Sequence, residues 1–131
     1  RDDLTIMNKI GIIGAGTMGS GIAHASALSG FQTLLMDLSE DVLHKGLKVI
    51  NKNLHRQLKI NKISQLEFDN TLEKIELSTE YSDLIDCDIV IEAATENQAI
   101  KEKIFMSIDN LCNIKTILAI NNDKINITIV N

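Results

Sequence analysis

The sequence predicts an α/β fold: a parallel sheet with helices on both faces. Three observations carry this. Short apolar runs alternate along the chain with longer segments of helical periodicity. The run Lys9-Ile10-Gly11-Ile12-Ile13 leads straight into a glycine-rich turn and then into a helix. The next apolar run, Gln32 to Met36, ends on an acidic residue, Asp37.

The elements follow in order. Lys9 to Ile13 is the first strand, and a helix covers about Thr17 to Ser29 with Met18, Ile22, Ala25 and Leu28 at helical spacing. Gly30 is its natural C-cap. After the second strand, Ser39 is a good N-cap, and Glu40 and Asp41 complement the dipole of a long helix. Val42, Leu43, Leu47, Ile50, Leu54 and Leu58 share one face of that helix, and Lys, Arg, His and Asn fill the other. Ser64-Gln65-Leu66-Glu67 is a capping box that starts a shorter helix carrying Leu66, Phe68 and Leu72. Ile75 to Ser78 is a short strand, Tyr81 to Ile85 a helical turn, and Asp88 to Ala94 a buried strand. A helix over about Asn97 to Leu111 and a fifth strand over Thr116 to Ile120 follow. The alternating tail Ile125 to Val130 suits either a helix or a strand. With about five strands, the sheet is a Rossmann-type arrangement incomplete at its C-terminus.

The first turn is where chemistry is expected. Gly14, Gly16 and Gly19 form a G-x-G-x-x-G pattern, weak alone but here in its required setting of strand, turn, helix, strand and acid. Gly14 lets the chain turn sharply, Gly16 lets a pyrophosphate approach the backbone, and Gly19 lets the helix pack close to the sheet. The N–H groups of Ala15, Thr17 and Met18 belong to the same anion-favouring turn. A carboxylate at Asp37 accepts from both ribose hydroxyls of an adenosine and repels a 2′-phosphate, and Leu38-Ser39-Glu40 supplies no Arg to hold one. The expected cofactor is therefore NAD rather than NADP. The competing reading is a glycine turn without a ligand, with Asp37 as a helix cap.

Composition excludes several classes. At 131 residues, 44% hydrophobic, the chain makes one domain with a real core. A net charge of −5, one Tyr, three Phe and no Trp leave neither a basic groove nor stacking aromatics for nucleic acid. No segment is long enough to span a membrane. Cys87 and Cys112 lack metal-site spacing and read as reduced thiols of a cytoplasmic protein, and no metal site is expected. Residues 1–6 precede Met7 and read as a leader or extension, with the domain running over 7–131.

The segment Gly-Ile-Ile-Gly-Ala-Gly-Thr-Met-Gly-Ser-Gly-Ile-Ala, from Gly11 to Ala23, resembles the start of the 3-hydroxyacyl-CoA dehydrogenases, in particular the bacterial 3-hydroxybutyryl-CoA dehydrogenases. A second marker, Val90-Ile91-Glu92-Ala93-Ala94-Thr95-Glu96-Asn97 followed by Lys101 and Lys103, strengthens the resemblance, which covers the chain from about Met7. It implies an NAD-dependent oxidoreductase of fatty acid metabolism that moves hydride between the cofactor and C3 of a 3-hydroxyacyl-CoA. It implies that Glu96 and Lys101 lie near the nicotinamide ribose, and that Asn121 is the family's Asn after the fifth strand.

The pattern breaks at Asp123, where the family has a serine that positions the substrate's 3-oxygen. A carboxylate there opposes the negative charge that gathers on that oxygen. Asn53 and Ile60 stand at the family's CoA-contacting Ser and Lys, with Lys59 and Lys62 as neighbours. The family's catalytic His–Glu pair and helical second domain are expected to lie beyond this chain. None of His24, His44 and His55 replaces that His, so no catalytic residue is assigned. The expectation is an NAD-binding domain that is inactive alone and self-associates through an uncovered sheet edge. The alternatives are a non-catalytic NAD(H)- or partner-binding relative, and a protein that only associates with another dehydrogenase subunit.

Overall fold

The computed structural model describes residues 8–93, and the backbone of 115–121 and 124–130. In chain order the elements are β1 (Lys9–Ile13), α1 (Thr17–Leu28), β2 (Gln32–Met36), α2 (Glu40–Lys59), α3 (Gln65–Glu73) and β3 (Ile75–Ser78). A 3₁₀ turn (Tyr81–Asp86) leads to β4 (Ile89–Glu92), β5 (Lys115–Asn121) and β6 (Lys124–Val130). The expected helix over 97–111, together with Glu96, Lys101, Cys112, Asp123 and residues 1–6, lies outside the described residues.

The strands form one sheet in the order β3-β2-β1-β4-β5-β6. The first five are parallel to their neighbours, as the alternation of strands and helices requires. The tail is a strand, and it pairs antiparallel to β5 as a hairpin rather than extending the parallel set, with Asn121 opposite Lys124. The direction in which the chain winds across the sheet reverses at β1, which lies between β2 and β4. In open α/β sheets the crevice at the carboxyl ends of such strands is the ligand site.

Successive strand residues point to opposite faces, and both faces are buried, so these strands read as continuous apolar runs. On one face Ile10, Ile12, Leu35 and Ile91 pack with Ala23, Leu43, Ile50, Leu54 and Phe68 of the helices. On the other, Ile13, Leu34, Met36 and Val90 meet Leu84 of the 3₁₀ turn and Cys87, which follows it. Each fully buried aliphatic side chain contributes about 1.5–3 kcal/mol relative to exposure.

Two helices end in the same way. Gly30, at φ 102°, follows α1; its N–H donates to the Ala27 carbonyl and the Phe31 N–H to that of Ser26. Asn61, at φ 60°, follows α2; its N–H donates to Leu58 and the Lys62 N–H to Gln57. Both are Schellman caps, one built on glycine and one on the residue that best tolerates the left-handed region after it.

The expected apolar stripe of α1 is corrected. The helix buries Gly19, Ser20, Ala23 and Ala27. Met18 is 39% exposed and Ala25 is exposed, while Ile22 and Leu28 are half-buried at the margin. The helix sits so close to the sheet that only small side chains fit beneath it. Leu66 is also turned outward, at 68% exposure, leaving Phe68 and Thr71 as the buried residues of α3.

Candidate functional site

The site is built where β1 turns into α1. Gly14 has φ 103°, a conformation that side chains other than glycine's rarely adopt, and its N–H donates to the Met36 carbonyl at 2.7 Å. The turn is thereby tied to the end of β2. A Cβ on Gly19 would overlap the Gly14 carbonyl, so glycine at 19 is what lets α1 begin directly against the turn. Gly16 is different: its φ is an ordinary −72°, and a Cβ there meets no described atom within 4 Å. Among the described residues, packing does not require glycine at 16, and none of them fills the space above that backbone.

Gly16 is also the N-cap of α1, and no side chain caps it. The first helical bond runs from Ser20 N–H to the Gly16 carbonyl at 2.9 Å. The N–H groups of Thr17, Met18 and Gly19 precede any intrahelical acceptor. No acidic residue stands in this first turn, and Gly16, Thr17 and Met18 are exposed. The Thr17 and Met18 N–H groups and the positive end of the helix dipole thus lie at an exposed turn, an arrangement that suits a phosphate.

Asp37 lies beside this turn, one residue past β2. Its Oδ2 accepts from the Ala15 N–H at 2.9 Å and its Oδ1 from the Ser39 N–H at 3.0 Å. Two backbone donors fix the carboxylate, and each oxygen keeps a further acceptor position for a ligand hydroxyl. The helix-cap reading is thus met only in part, since one bond serves the start of α2 and the other binds the acid to the glycine turn. Asn121, the last residue of β5, is at the same carboxyl edge of the sheet by register.

Two supporting residues escaped sequence reading. Ser20, buried, donates from its hydroxyl to the Ala15 carbonyl at 2.8 Å, bracing the turn from inside α1. Gly46 of α2 faces that bond: a Cβ there would come within 2.7 Å of the Ala15 oxygen and 2.5 Å of Ser20 Oγ. Glycine in the middle of a helix costs about 0.5–1 kcal/mol relative to Ala, and here it lets α2 reach the turn. The only signal in the sequence was that cost, a glycine inside an otherwise strong helical pattern. Between Gly16, Thr17, Ser20, Val42 and Lys45 the two helices leave a cleft of about 210 Å³.

The remaining candidates do not join the site. His24 Nε2 and Gln57 Oε1, 3.1 Å apart, link α1 to α2. His44 and His55 are exposed, and the His55 ring lies 4.7 Å from that of Phe68. Cys87 is buried among the apolar side chains on the other face of the sheet. Among the described residues no cluster of His, Cys, Asp or Glu could hold a metal ion, and no helix is long and apolar enough to cross a membrane.

At the same carboxyl edge of the sheet are two further residues. Glu92, the last residue of β4, is fully buried. Tyr81 is half-buried and packs against the apolar cluster that contains Ile13, Leu34, Met36, Leu84, Cys87 and Val90. Burial first, then the charges of Asp37 and Glu92, raise the Tyr81 pKa above its ordinary 10.

A doubly wound sheet, a glycine turn with an uncapped helix and a fixed acid after β2 define a dinucleotide-binding domain. The chain belongs to the 3-hydroxyacyl-CoA dehydrogenase family: residues 9–131 match that family's NAD-binding domain. It is 40% identical over 123 residues to a 3-hydroxybutyryl-CoA dehydrogenase of Bradyrhizobium diazoefficiens, a match that covers 94% of this chain and 42% of that protein. It is 37% identical over 121 residues to a glyoxysomal fatty acid beta-oxidation multifunctional protein of Brassica napus, covering 92% of this chain and 17% of that one. The crystal structure of (S)-3-hydroxybutyryl-CoA dehydrogenase from Ralstonia eutropha superposes with a TM-score of 0.80 at 41% identity, over 82% of this chain and 38% of that one. The chain thus spans less than half the length of these relatives.

Proposed function

We propose that this chain is the cofactor-binding half of a dehydrogenase acting on C3 of 3-hydroxyacyl-CoA thioesters, with its cofactor site at Gly14, Ala15, Gly16, Thr17, Met18, Gly19 and Asp37. The observation that carries the reading is the start of α1, where N–H groups at an exposed turn, no cap, no acid and a space over Gly16 that no described residue fills stand beside a fixed carboxylate. In this assignment the N–H groups of the first helical turn hold the pyrophosphate. Asp37 accepts from the hydroxyls of the adenosine ribose and repels a 2′-phosphate. NAD, when bound, accepts or gives the hydride. Glu96, Lys101 and Asn121 are assigned to the nicotinamide end by family position.

The substrate side rests on charge. No acidic residue occurs from Val42 to Leu66, and Lys45, Lys48, Lys52, Arg56 and Lys59 are exposed along the outer side of α2. That row suits the anionic nucleotide of a CoA ester. Asn53 is half-buried and Ile60 is 60% exposed on the same helix, so Lys59 and Lys62, both exposed, are the cations nearest the altered positions.

Titration of the chain with NADH and NADPH tests the reading. Saturable NADH binding with at least tenfold weaker NADPH binding is expected, and absence of NADH binding at millimolar concentration contradicts it. No turnover of acetoacetyl-CoA by the 131-residue chain is expected. A second reading, a relative that binds NAD(H) or a partner without transferring hydride, draws on Asp123 in place of the family's serine. Asp123→Ser in a protein extended to the length of the relatives separates the two. A large gain in turnover supports the non-catalytic reading of the present sequence, and an active parent refutes it.

A further inference from the structure

The chain contains one tyrosine and no tryptophan. That tyrosine, Tyr81, opens the 3₁₀ turn after β3. The Asp37 N–H donates to the Ser78 carbonyl at 3.0 Å, which sets the ends of β2 and β3 level, and Tyr81 follows three residues later at the same edge. The turn is held from both sides. The Ser78 hydroxyl donates to Asp83 Oδ2 at 2.6 Å and accepts from the Glu80 N–H at 2.9 Å. The ring rests half-buried on the apolar face that includes Leu34 and Met36, and the phenol lies within electrostatic reach of Asp37 and Glu92.

Those neighbours leave a chemical gap at this edge. A carboxylate such as Asp37 only accepts hydrogen bonds when ionised, and the nearby N–H groups of Ala15 and Ser39 are already given to it. An adenosine presents acceptors as well as hydroxyls: the ring nitrogens of the base and the ring oxygen of the ribose. Buried without a donor, such an acceptor costs about 1–3 kcal/mol. The raised pKa keeps the Tyr81 hydroxyl protonated, hence a donor, at any pH at which the protein works.

We propose that Tyr81 is a recognition residue for the adenosine half of the cofactor, its ring forming the wall of that subsite beside Asp37 and its hydroxyl donating to the nucleoside. The proposal rests on the reading of Asp37 as the ribose acceptor. It explains why the one tyrosine is held within the influence of Asp37 and Glu92 by a strapped turn, where packing alone is served equally well by Phe.

Two measurements on the full 131-residue chain test it. With 3-fluorotyrosine incorporated, Tyr81 gives a single 19F resonance, and titration with ADP-ribose is expected to shift it saturably. Tyr81→Phe keeps the ring and removes the donor. Its affinity for ADP-ribose and for NADH is expected to fall about five- to tenfold, with an unchanged thermal midpoint. Parent affinity in Tyr81→Phe, while Asp37→Ala loses binding, overturns the proposal and leaves the NAD site standing. Absence of ADP-ribose and NADH binding by the parent overturns both. If the Phe variant proves unstable, the parent titration decides, and a resonance unmoved at saturating ADP-ribose refutes the role of Tyr81.

Discussion

The described helices begin in two different ways. Helix α2 starts at Ser39, whose hydroxyl accepts from the Val42 N–H at 3.3 Å, and Glu40 and Asp41 follow in its first turn. Helix α3 starts at Ser64 with a complete capping box, the Ser64 hydroxyl accepting from the Glu67 N–H and the Glu67 carboxylate from the Ser64 N–H. Helix α1 starts at Gly16 with neither cap nor acid. The protein meets its own helix-end requirements at α2 and α3, and leaves them open at the described helix that begins at the carboxyl edge of the central strand. Uncapped N–H groups are a cost to the free protein. On the proposed function, the difference marks the place a negative ligand would occupy.

The contrast between these helix starts can be broken at several points. The largest effect is expected from Gly19→Ala, whose Cβ overlaps the Gly14 carbonyl and forces α1 away from the turn. A loss of about 2 kcal/mol or more in urea unfolding is expected, with loss of NADH binding; unchanged stability removes the packing argument. Asp37→Asn keeps an acceptor oxygen but not the charge. NADH affinity should fall about tenfold and the ratio of NADH to NADPH binding should shrink, in paired titrations. Ser64→Ala removes a cap far from the turn. It should cost about 1 kcal/mol in the same unfolding experiment and leave NADH affinity untouched, whereas an effect on binding means the helix starts are not independent.

The smallest effect concerns Tyr81. Its folded pKa is raised above 10 by burial, then by Asp37 and Glu92. The unfolded chain therefore releases this proton first as pH climbs. The associated stability is fully present below about pH 10, the unfolded value, and is lost as pH rises through the folded value. Ultraviolet titration of the single tyrosine should show ionisation above 10 in the folded chain and near 10 in urea. Equal midpoints contradict the assigned environment.

What the sequence discloses follows the range of each interaction. The strand–turn–helix with Gly14, Gly16 and Gly19, the acid at Asp37, and the caps at Ser39 and Ser64 are readable because each depends on neighbours a few residues away. The buried face of α1 is misread from spacing: Met18 and Ala25 look apolar at the right period. The close approach that Gly19 permits instead admits only Ser20, Ala23 and Ala27 beneath the helix. The contact of Gly46 with Ser20 and Ala15, and the placing of Tyr81 near Asp37, join residues far apart in sequence, and no local pattern announces them. The antiparallel pairing of β6 is likewise a matter of partner choice, since its alternation suits either direction.

The most direct test is Gly16→Ala, measured for both folding and binding. Gly16 has ordinary backbone angles, and no described atom lies within 4 Å of where an alanine methyl would stand, so the described residues give no packing reason for glycine there. The expected result is a thermal midpoint within about 2 °C of the parent, a change below about 0.5 kcal/mol, together with at least tenfold weaker NADH binding. Parent-like NADH affinity in Gly16→Ala contradicts the claim that the open start of α1 is where the dinucleotide's phosphates lie.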